Sequence, residues 1–488
     1  MNAFAESPHE DAASAAADRA PPAPGPRGLA VPGALLALRR DPVRAFAELR
    51  ARYGPVVRVP LGLRSFYVIG SADAARRVLC DNARSYGKRT WSYDLLRRVL
   101  GAGLITSEGD AWRRQRRSAQ PAFHKSALPA VADIALARTD ALLAQWRAQG
   151  DAARLDLGQD MTALSLDMLA RAVLGAELGA DAARVSALLT AIFGYIRERT
   201  GRLVDFPESW PLPHHARFRA DLAALDAVTT RIIEGRRRNP GGHDLVATLL
   251  AARDEEGRPL DPSELVDQVK TFLLAGHETT ANLLTWTLAL LARHPSAAAG
   301  VANEVAAVAG TGRIGVEHVA RLPFTRAVIA ESLRLYPPVW LVERRALAPD
   351  VLDGFRIEPG ATLAVSQYLL HRDPAEFPEP ERFVPERFLS GERPRGYLPF
   401  GSGSRTCIGD AFALTQASVV VARIAQASAP GVDPEHGALN LALVDRELPE
   451  PEAYVTLRPR GTLRVELRVT APEDRTASPA NRRSRTLP

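Results

Sequence analysis

One unbroken helical pattern constrains the fold of this sequence more than any other feature. It begins at Asp261, which suits a helix N-cap, with Pro262 at the first helical position and Glu264 at the third. No proline interrupts the pattern before Pro295. About 32 residues at 1.5 Å each form a rod of ~48 Å, long enough to cross a whole domain. The chain is therefore expected to fold around one very long helix.

Helical patterns also dominate the rest of the chain, and strand patterns are few. Residues 56–70, VVRVPLGLRSFYVIG, alternate and predict two strands with a turn at Gly62. Residues 351–370 have the β-branched content and the Gly and Pro turns of further strands. Residues 371–406 follow neither period, and their aromatic residues indicate that this segment packs. The predicted class is mainly α with minor β, an α+β fold with small sheets.

The length of the chain suggests roughly three domains, but large single-domain enzymes depart from this rule. The chain has 488 residues, 46% of them hydrophobic, which suits a large core. Residues 1–26 are interpreted as a disordered leader with a Pro-rich entry, residues 27–469 as a single domain, and residues 470–488 as a disordered basic tail. The leader lacks an apolar signal segment, and no apolar run is long enough to span a bilayer. Two cysteines fit a reducing compartment, so we expect a cytoplasmic protein without a membrane anchor, and a monomer.

Nucleic acid is not an expected partner. The net charge of +6 comes partly from the basic tail. The basic residues lack interleaved aromatic side chains and form no recognisable nucleic-acid-binding module. Solvated surface charge is the better interpretation.

A glycine-rich loop surrounds one of the two cysteines. The stretch FGSGSRTCIG, residues 400–409, places Cys407 at the start of an apolar helical pattern, where the helix dipole favours a thiolate. Three glycines leave room for a large flat group against the backbone, and Arg405 is available to pair with an anion of that group. An inert buried cysteine, a catalytic nucleophile and a dinucleotide loop are alternatives on these residues alone. The other cysteine, Cys80, is predicted to lie in a helix core.

The spacing in this loop resembles the F-x-x-G-x-R-x-C-x-G haem-binding signature of the cytochrome P450 family. The matching residues are Phe400, Gly403, Arg405, Cys407 and Gly409. The resemblance implies haem b (iron protoporphyrin IX), with Cys407 as the axial thiolate ligand of the iron and Arg405 at a haem propionate. It also implies the family's fold, with the long helix over the haem, and extends from about residue 22 to residue 468.

Polar residues interrupt the apolar face of the long helix at AGHETT, residues 275–280. The His-Glu pair there resembles part of the zinc motif H-E-x-x-H, but Ala281 replaces the second histidine. A tolerated polar patch, with Thr279 bonding back to the Ala275 carbonyl, is one interpretation. The stretch also resembles the family's A-G-x-[DE]-T pattern, with matches at Ala275, Gly276, Glu278 and Thr279. The resemblance implies that Glu278 and Thr279 deliver protons during O2 activation.

Glu331 and Arg334 are three residues apart and face the same side of a predicted helix. Exposed pairs of this kind are common and stabilise little. The pair also resembles the family's E-x-x-R, whose partner is an arginine in the later irregular segment, here Arg387. The resemblance implies that these three residues hold the haem-side scaffold.

Two further segments are interpreted either as charged surface or as haem contacts. Residues 112–117, WRRQRR, resemble the family's W-x-x-x-R, which implies that Trp112 and Arg116 face the propionates. Arg345 stands five residues before an aspartate, a spacing that resembles the third propionate arginine of the family. Its neighbour Arg344 remains the alternative.

These resemblances together imply a haem-thiolate monooxygenase that hydroxylates or epoxidises a small apolar substrate with O2. The implied pocket walls are residues 85–105, 272–275 and 339–342, with Trp91, Tyr93 and Trp340 available. They are largely apolar and suit a terpene, fatty acid, steroid or polyketide. No flavin or nicotinamide domain follows, so two electrons are expected from a ferredoxin or flavodoxin with an NAD(P)H-dependent reductase. The residues of this chain that are candidates for docking an acidic electron donor are Arg113, Arg114, Arg117 and Lys125.

Two other functions remain open. A haem-thiolate isomerase or dehydratase that does not use O2 would turn over without electron donors. A non-catalytic haem sensor would be expected to bring an output domain.

Overall fold

A computed structural model describes residues 17–62, 64–179, 181–200, 206, 208, 210–429 and 437–469. The predicted tail and residues 1–16 of the predicted leader lie outside these ranges.

The helices are α1 (Ala30–Arg40), α2 (Pro42–Tyr53), α3 (Ala72–Arg76), α4 (Trp91–Leu100), α5 (Gly109–Ala119), α6 (Leu128–Gln149), α7 (Leu157–Ala172), α8 (Asp181–Thr200), α9 (Pro213–Arg238), α10 (Leu245–Ala251), α11 (Pro262–Arg293), α12 (Pro295–Ala309), α13 (Val316–Val319), α14 (Pro323–Leu335), α15 (Gln367–Leu370) and α16 (Asp410–Ser428). The strands are β1 (Val56–Leu61), β2 (Arg64–Ile69), β3 (Tyr86–Gly87), β4 (Arg154–Asp156), β5 (Val342–Ala346), β6 (Asp350–Leu352), β7 (Phe355–Ile357), β8 (Thr362–Val365), β9 (Leu439–Leu443), β10 (Pro451–Ala453), β11 (Leu457–Pro459) and β12 (Arg464–Val469).

Helix α11 confirms the predicted rod. It has 32 residues and begins directly after Asp261, whose side chain accepts a hydrogen bond from the Ser263 N–H at 2.8 Å. Every residue from Ala281 to Leu291 is buried, because helices α7, α14 and α16 pack around this half of the rod. A helix that is buried on all sides forms the centre of its domain.

Two large apolar clusters meet along α11. One joins it to residues of α6, α7, α12, α14 and α16, and the other joins its first half to residues of α4, α8, α9 and α10. The central helix therefore contributes to both halves of the core, and its polar interruption at residues 275–280 lies between them.

The largest sheet has five strands in the order β1-β2-β8-β5-β3. Strands β1 and β2 form the predicted antiparallel pair around Gly62, whose φ of +65° explains the glycine. Strand β8 then pairs with β2 in parallel and with β5 in antiparallel register. The fold is mostly helical with small sheets, which confirms the predicted class. Across the described residues, no helix is both long enough and apolar enough to cross a membrane.

Part of the predicted disordered leader is ordered. The Pro21 carbonyl accepts a hydrogen bond from the Arg356 N–H at 2.9 Å, and the Pro24 carbonyl accepts one from the Arg58 N–H at 2.8 Å. The prediction of disorder therefore does not hold for residues 17–26. Although proline has no N–H to donate, its carbonyl can still satisfy the free N–H groups at a strand edge.

One buried ion pair organises the irregular segment 371–406. The Arg334 guanidinium donates through Nε to Glu331 Oε2 at 2.7 Å and through Nη2 to Glu331 Oε1 at 2.8 Å. Neither side chain is exposed to solvent. The guanidinium also donates to three carbonyls of the segment, those of His371 (2.9 Å), Pro380 (2.6 Å) and Arg382 (3.0 Å). A charge buried in this way requires this degree of pairing.

Further contacts extend this network toward the cysteine loop. Glu331 accepts the Val384 N–H at 2.9 Å, and Arg387 Nε lies 3.5 Å from Glu331 Oε1. The structure thus brings Glu331, Arg334 and Arg387 together. His371 Nε2 accepts the Leu398 N–H at 2.9 Å, so its Nδ1 carries the proton and faces the Arg334 carbonyl at 3.2 Å. Burial lowers the pKa of His371 to about 3 and keeps it neutral.

Replacing Glu331 by Gln should destabilise the protein strongly, because Arg334 and Arg387 would keep their charges without a carboxylate. Removing one partner of a buried pair costs about 3 to 5 kcal/mol of unfolding free energy. Urea unfolding followed by far-UV circular dichroism measures the loss. Glu379→Gln is the matched control, because Glu379 pairs with Arg382 three residues away at 2.7 Å but is exposed. Equal losses in the two variants would contradict the role given to the buried pair.

Candidate active site

Glycines shape the loop that carries Cys407. Gly401 and Gly403 have φ of +73° and +71°, a region that residues with side chains rarely adopt. A Cβ atom on Gly403 would lie 2.2 Å from the Leu79 carbonyl oxygen. Any other residue at position 403 would therefore displace the loop from the turn that contains Leu79.

Cys407 lies where the loop closes before helix α16. Its N–H donates to the Phe400 carbonyl at 3.0 Å. The sequence predicted a helix starting at Cys407, but α16 begins at Asp410, because Gly409 occupies the N-cap position. The cysteine thus belongs to the loop rather than to the first turn of the helix.

The Cys407 thiol is accessible although much protein surrounds it. The residue is exposed, yet burial raises the pKa of its thiol above the ordinary value. A backbone hydrogen bond at Gly409 and the charge of Arg116 act in the opposite direction. An exposed thiol in such desolvating surroundings lies at the wall of an internal space.

Two of the predicted residues on α5 contact the same loop. The Arg405 guanidinium carbon lies 4.0 Å from the centre of the Trp112 ring, and Arg116 Nη1 donates to the Thr406 carbonyl at 2.9 Å. Arg405 Nη1 is buried without a hydrogen-bond partner. Burial, followed by the nearby charge of Arg344, lowers the pKa of Arg405 to about 10. This guanidinium lacks the anion that its position requires.

Strand β5 separates the two candidates for the third arginine. Arg344 lies opposite Leu363 and Arg345 opposite Thr362, and their side chains point to opposite faces of the sheet. Arg344 is buried and close enough to Arg405 to lower its pKa. Arg345 instead lines a surface groove beside Glu108. The structure brings the alternative, Arg344, to Arg405, and it does not bring Arg345 there.

A fourth cation, Lys88, was not predicted from the sequence. Its Nζ donates to the Ile105 carbonyl at 2.6 Å and lies 4.4 Å from the centre of the Tyr93 ring. Burial, then Arg344 and Arg405, hold the pKa of Lys88 well below its usual range. A single lysine in the stretch YGKRT matches no motif and no period, so no signal marked it.

Lys88, Arg116, Arg344 and Arg405 are called the cationic cluster below. Among the described residues, none of the four forms a salt bridge with a carboxylate, although the charge of Glu108 raises the pKa of Lys88 and of Arg405 in part. Buried cations are stable only when an anion compensates them. A ligand with two carboxylates would provide that compensation.

The central helix places its acid and alcohol side by side. Thr279 Oγ1 donates to the Ala275 carbonyl at 2.7 Å. Glu278 Oε2 is buried without a hydrogen-bond partner, and burial raises the pKa of Glu278 to about 7. Thr456 and Arg458 counteract part of this rise. A carboxyl group with this pKa exchanges protons readily near neutral pH.

Gly276 and His277, which precede Glu278 and Thr279 on the central helix, have other roles. A Cβ atom on Gly276 would lie 2.6 Å from Leu169 Cδ1, so a side chain there would have to displace Leu169 of α7. His277 is buried, and burial lowers its pKa to about 4, so it stays neutral at physiological pH.

The hairpin β10–β11 is a second feature that sequence analysis missed. Its tip contacts the central helix, because Asn282 Nδ2 donates to Thr456 Oγ1 at 3.0 Å. It also contacts a predicted pocket wall, because Trp340 Nε1 donates to the Tyr454 carbonyl at 3.3 Å. Its strands have only three residues each, too few for an alternating pattern to be recognised.

The predicted aromatic residues of the pocket walls occupy different environments. Trp91 is exposed, whereas Trp340 is buried and lies 5.5 Å from Phe46, between ring centres. Phe272 of the central helix stacks on Phe123 at 5.3 Å. The rings of Phe272 and Trp340 therefore belong to two different packing groups.

The second cysteine is not the plain helix-core residue that the sequence suggested. Cys80 lies in a π-helical turn, Arg77–Asp81, and is half-buried. Its Sγ lies 3.0 Å from Ser402 Oγ. The wider turn of a π helix brings Cys80 close to the cysteine loop, where it contacts the side chain of Ser402.

The residues present fit the haem that the family resemblance implies. An accessible thiol, an unpartnered guanidinium nitrogen and an uncompensated cationic cluster lie on one loop and its neighbours. Thiolate sulfur suits haem iron, and buried cations suit the two propionates. Among the described residues, no cluster of His, Cys, Asp and Glu offers an alternative metal site.

Comparisons with known proteins agree with this fit. A family model described as "Cytochrome P450" matches residues 22–434. Cyclooctatin synthase of Streptomyces melanosporofaciens is 38% identical over 412 residues, covering 82% of this chain and 88% of that protein. Pentalenene oxygenase of Streptomyces avermitilis is 32% identical over 428 residues, covering 86% and 93%. The haem domain of cytochrome P450DA superposes with a TM-score of 0.82 at 27% identity, covering 94% of this chain and 100% of that one.

Sequence similarity to these proteins thus covers most of the chain, and structural similarity covers nearly all of it. Because the shared region includes the cysteine loop, the central helix and the buried ion pair, the chain belongs to the cytochrome P450 family.

Proposed function

We propose that this cytochrome P450 oxidises a terpenoid and that Cys407 is the thiolate ligand of its haem. As a member of the family it is a monooxygenase, which requires haem, O2, an organic substrate and a redox partner. The observation that carries the proposal is the accessible Cys407 thiol beside the uncompensated cationic cluster. When bound, the haem supplies O2 activation, aided by electron donation from the thiolate.

The chain's own residues hold the haem in this proposal. Arg405, Arg344 and Lys88 bind the propionates, since Arg344 and Lys88 are buried, Arg405 is half-buried with a buried Nη1, and none of them has a carboxylate partner among the described residues. Trp112 fixes the Arg405 guanidinium from one side, and Arg116 ties α5 to the cysteine loop. Arg345 takes no part, because it lies on the other face of β5.

A terpenoid is the substrate class with the most support. Relatives that are about 38% identical in sequence to this chain oxidise terpenoids. Arg458, the cation that acts on Glu278, is already engaged, because it stacks on Tyr454 and lies 3.5 Å from Glu452 Oε2. It does not favour a substrate carboxylate there, which argues against a fatty acid. A neutral apolar molecule suits the remaining walls better.

The ligand assignment predicts a difference between the two cysteines. Reduced wild-type protein exposed to carbon monoxide should show a strongly red-shifted Soret band. Cys407→Ser should lose that band, because an alcohol does not donate charge to the iron as a thiolate does. Cys80→Ser, the matched control, should retain it, because Cys80 contacts Ser402 rather than the proposed haem space. A red-shifted band in Cys407→Ser would exclude this cysteine as the ligand.

Glu278 and Thr279 act as proton donors in the proposal. The carboxyl group of Glu278 is buried and half-protonated near pH 7, and the hydroxyl of Thr279 lies next to it on α11. Such a group can give up a proton and regain it from solvent in the same pH range. Peroxide is the expected product whenever protons arrive too slowly for O2 to be cleaved.

Glu278→Gln and Thr279→Val should therefore lower the yield of product per NAD(P)H consumed by roughly tenfold, with a matching rise in peroxide. In the wild type, the yield should fall as the pH rises through about 7, because Glu278 then loses its proton. Glu278→Gln should lose that pH dependence. Thr285→Val is the control, because Thr285 bonds back to the Ala281 carbonyl at 2.8 Å on the same helix. Wild-type yields in Glu278→Gln would remove its proton role.

An acidic ferredoxin or flavodoxin with its NAD(P)H-dependent reductase is the proposed electron donor. Of the four predicted docking residues, Arg113 pairs with Asp110 and Arg114 lies 3.5 Å from Glu264. Arg117 and Lys125 are exposed. These two carry the docking charge in the proposal, because their fields are less compensated within the protein.

Charge reversal at Arg117 and Lys125 should slow reduction by an acidic ferredoxin at low salt by roughly tenfold or more. Added salt should diminish the difference, because it screens exposed charges. Stopped-flow reduction under carbon monoxide measures the rate. Arg44→Glu, an exposed change on α2, should leave it unchanged. A rate that is insensitive to the double reversal would place the donor elsewhere.

A further inference from the structure

Asp350, at the start of β6, is a buried carboxylate surrounded by hydrogen-bond donors, with 1% of its surface exposed. Arg77 donates to its Oδ1 through Nε at 2.9 Å and through Nη2 at 2.6 Å. Its Oδ2 accepts the Tyr86 hydroxyl at 2.6 Å and Asn82 Nδ2 at 3.0 Å. The Val351 N–H donates to Oδ1 at 2.8 Å. One carboxylate therefore ties together residues that lie far apart in the chain.

These donors keep the carboxylate charged. Burial alone would raise the pKa of Asp350, but the hydrogen bonds from Arg77, Tyr86 and Asn82 outweigh it and hold the pKa below its ordinary value. Arg77, 2.6 Å away and 42% exposed, supplies the compensating charge. Breaking a buried charge pair by removing one partner is much more disruptive than breaking an exposed pair. The segment that carries Arg77 is thus held firmly to Asp350.

Three of the contacts fix residues 77–87. Arg77 begins the π turn described above, Asn82 directly follows it, and Tyr86 begins strand β3. The Asn82 N–H also closes the turn by donating to the Arg77 carbonyl at 2.8 Å. Because π turns are rare and occur frequently at functional sites, this turn calls for a reason to be there.

The cysteine loop supplies that reason, because it packs on the π turn. A Cβ atom on Gly403 would lie 2.2 Å from the Leu79 carbonyl oxygen and 3.4 Å from Cys80 Sγ. Cys80 Sγ also lies 3.0 Å from Ser402 Oγ. The loop has no room to move toward the turn, and it would lose its support if the turn moved away. The place of the loop therefore follows the place of the turn, which Asp350 holds.

The same segment leads into the cationic cluster. Strand β3 pairs in antiparallel register with β5, the strand that carries Arg344. Lys88 directly follows β3 in the chain. By binding the Tyr86 hydroxyl, Asp350 fixes the strand from which Lys88 extends. One carboxylate thus acts on the cysteine loop and on a member of the cluster.

We propose that Asp350 is a positioning residue of the haem site, which sets the place of the Cys407 loop relative to Lys88. This inference rests on the proposed function, in which Cys407 ligates the iron and Lys88 binds a propionate. Asp350 acts through other residues: the π turn transmits its position to the loop, and β3 transmits it to Lys88. The Arg334 network holds the loop from the segment that precedes it, and Asp350 holds it from the π turn.

The test compares Asp350→Asn and Arg77→Gln with the control Asp244→Asn in the haem-loaded protein. Asp244 is a matched carboxylate that joins α9 to α10. It pairs with Arg236 at 2.6 Å and accepts the Ala247 N–H at 3.0 Å, and its side chain is 8% exposed. All three variants should lower the thermal midpoint of unfolding, because each breaks a charge pair with a buried carboxylate.

The first readout is the transfer of haem to an excess of apomyoglobin. Asp350→Asn and Arg77→Gln should release haem roughly tenfold faster than the wild type, because contacts that orient a ligand contribute about that much to its binding. Asp244→Asn should release haem at the wild-type rate.

The second readout is the red-shifted Soret band of the reduced protein under carbon monoxide, followed as the pH falls. Asp350→Asn should lose this band at a pH about one unit higher than the wild type does, because a thiolate that is held less precisely is protonated more readily. Asp244→Asn should keep the wild-type midpoint.

Wild-type haem release with an unmoved spectral midpoint in Asp350→Asn would overturn the inference. Equal changes in Asp350→Asn and Asp244→Asn would overturn it as well, since a general loss of stability would then explain both. If Asp350→Asn does not fold, Tyr86→Phe decides the question. This variant removes one donor and keeps the charge pair, and it should still release haem about threefold faster. A wild-type rate in Tyr86→Phe would then count against the inference.

Cys407→Ser separates this inference from the proposal on which it rests. If Cys407→Ser loses the red-shifted band while Asp350→Asn and Tyr86→Phe behave as the wild type, only the positioning role of Asp350 fails. If Cys407→Ser itself retains the band, the ligand assignment fails first.

Discussion

A guanidinium can be buried only where its N–H groups find oxygen atoms, and Arg334 meets this condition by drawing an irregular segment onto α14. Glu331 supplies the charge, and carbonyls at residues 371, 380 and 382 supply the remaining acceptors. The same segment runs directly into the cysteine loop, and His371 joins the two through the Leu398 N–H. The position of Cys407 thus depends on a charge pair that belongs to a different helix.

The charged groups around Cys407 differ from Arg334 because, among the described residues, no carboxylate pairs with them. Arg334 is saturated with acceptors, whereas Arg405 has a buried nitrogen without one, and its pKa falls to about 10. Lys88 and Arg344 share this lack of compensation. A folded chain can tolerate such a cluster because its bound cofactor provides the missing anions, so cofactor binding and folding stability are coupled. The arginines of the scaffold and of the site therefore differ most clearly in their hydrogen-bond partners.

The sequence predicted those features that depend on local chemistry. Asp261, Pro262 and Pro295 marked the bounds of the central helix, because capping and proline geometry are decided within a few residues. The cysteine loop was recognisable because its glycines, arginine and cysteine occur at a characteristic spacing. The back-bond of Thr279 to Ala275 also follows from helix geometry alone.

The features that were missed depend on tertiary contacts. Arg344 and Arg345 are equivalent in sequence, and only the pairing of β5 with β8 decides which one faces Arg405. The order of residues 17–26 depends on a strand edge that forms far away in the chain. Lys88 and Thr456 acquire their partners through a buried carbonyl and through Asn282, neither of which leaves a local pattern.

The short tip of the β10–β11 hairpin has a consequence for protein engineering. Within three residues, the Tyr454 carbonyl binds the indole of Trp340, and the Thr456 hydroxyl binds the amide of Asn282. An insertion or deletion there would displace both contacts together. A mutant library aimed at new substrates should therefore keep the hairpin length constant and vary the tip jointly with residues 282 and 340.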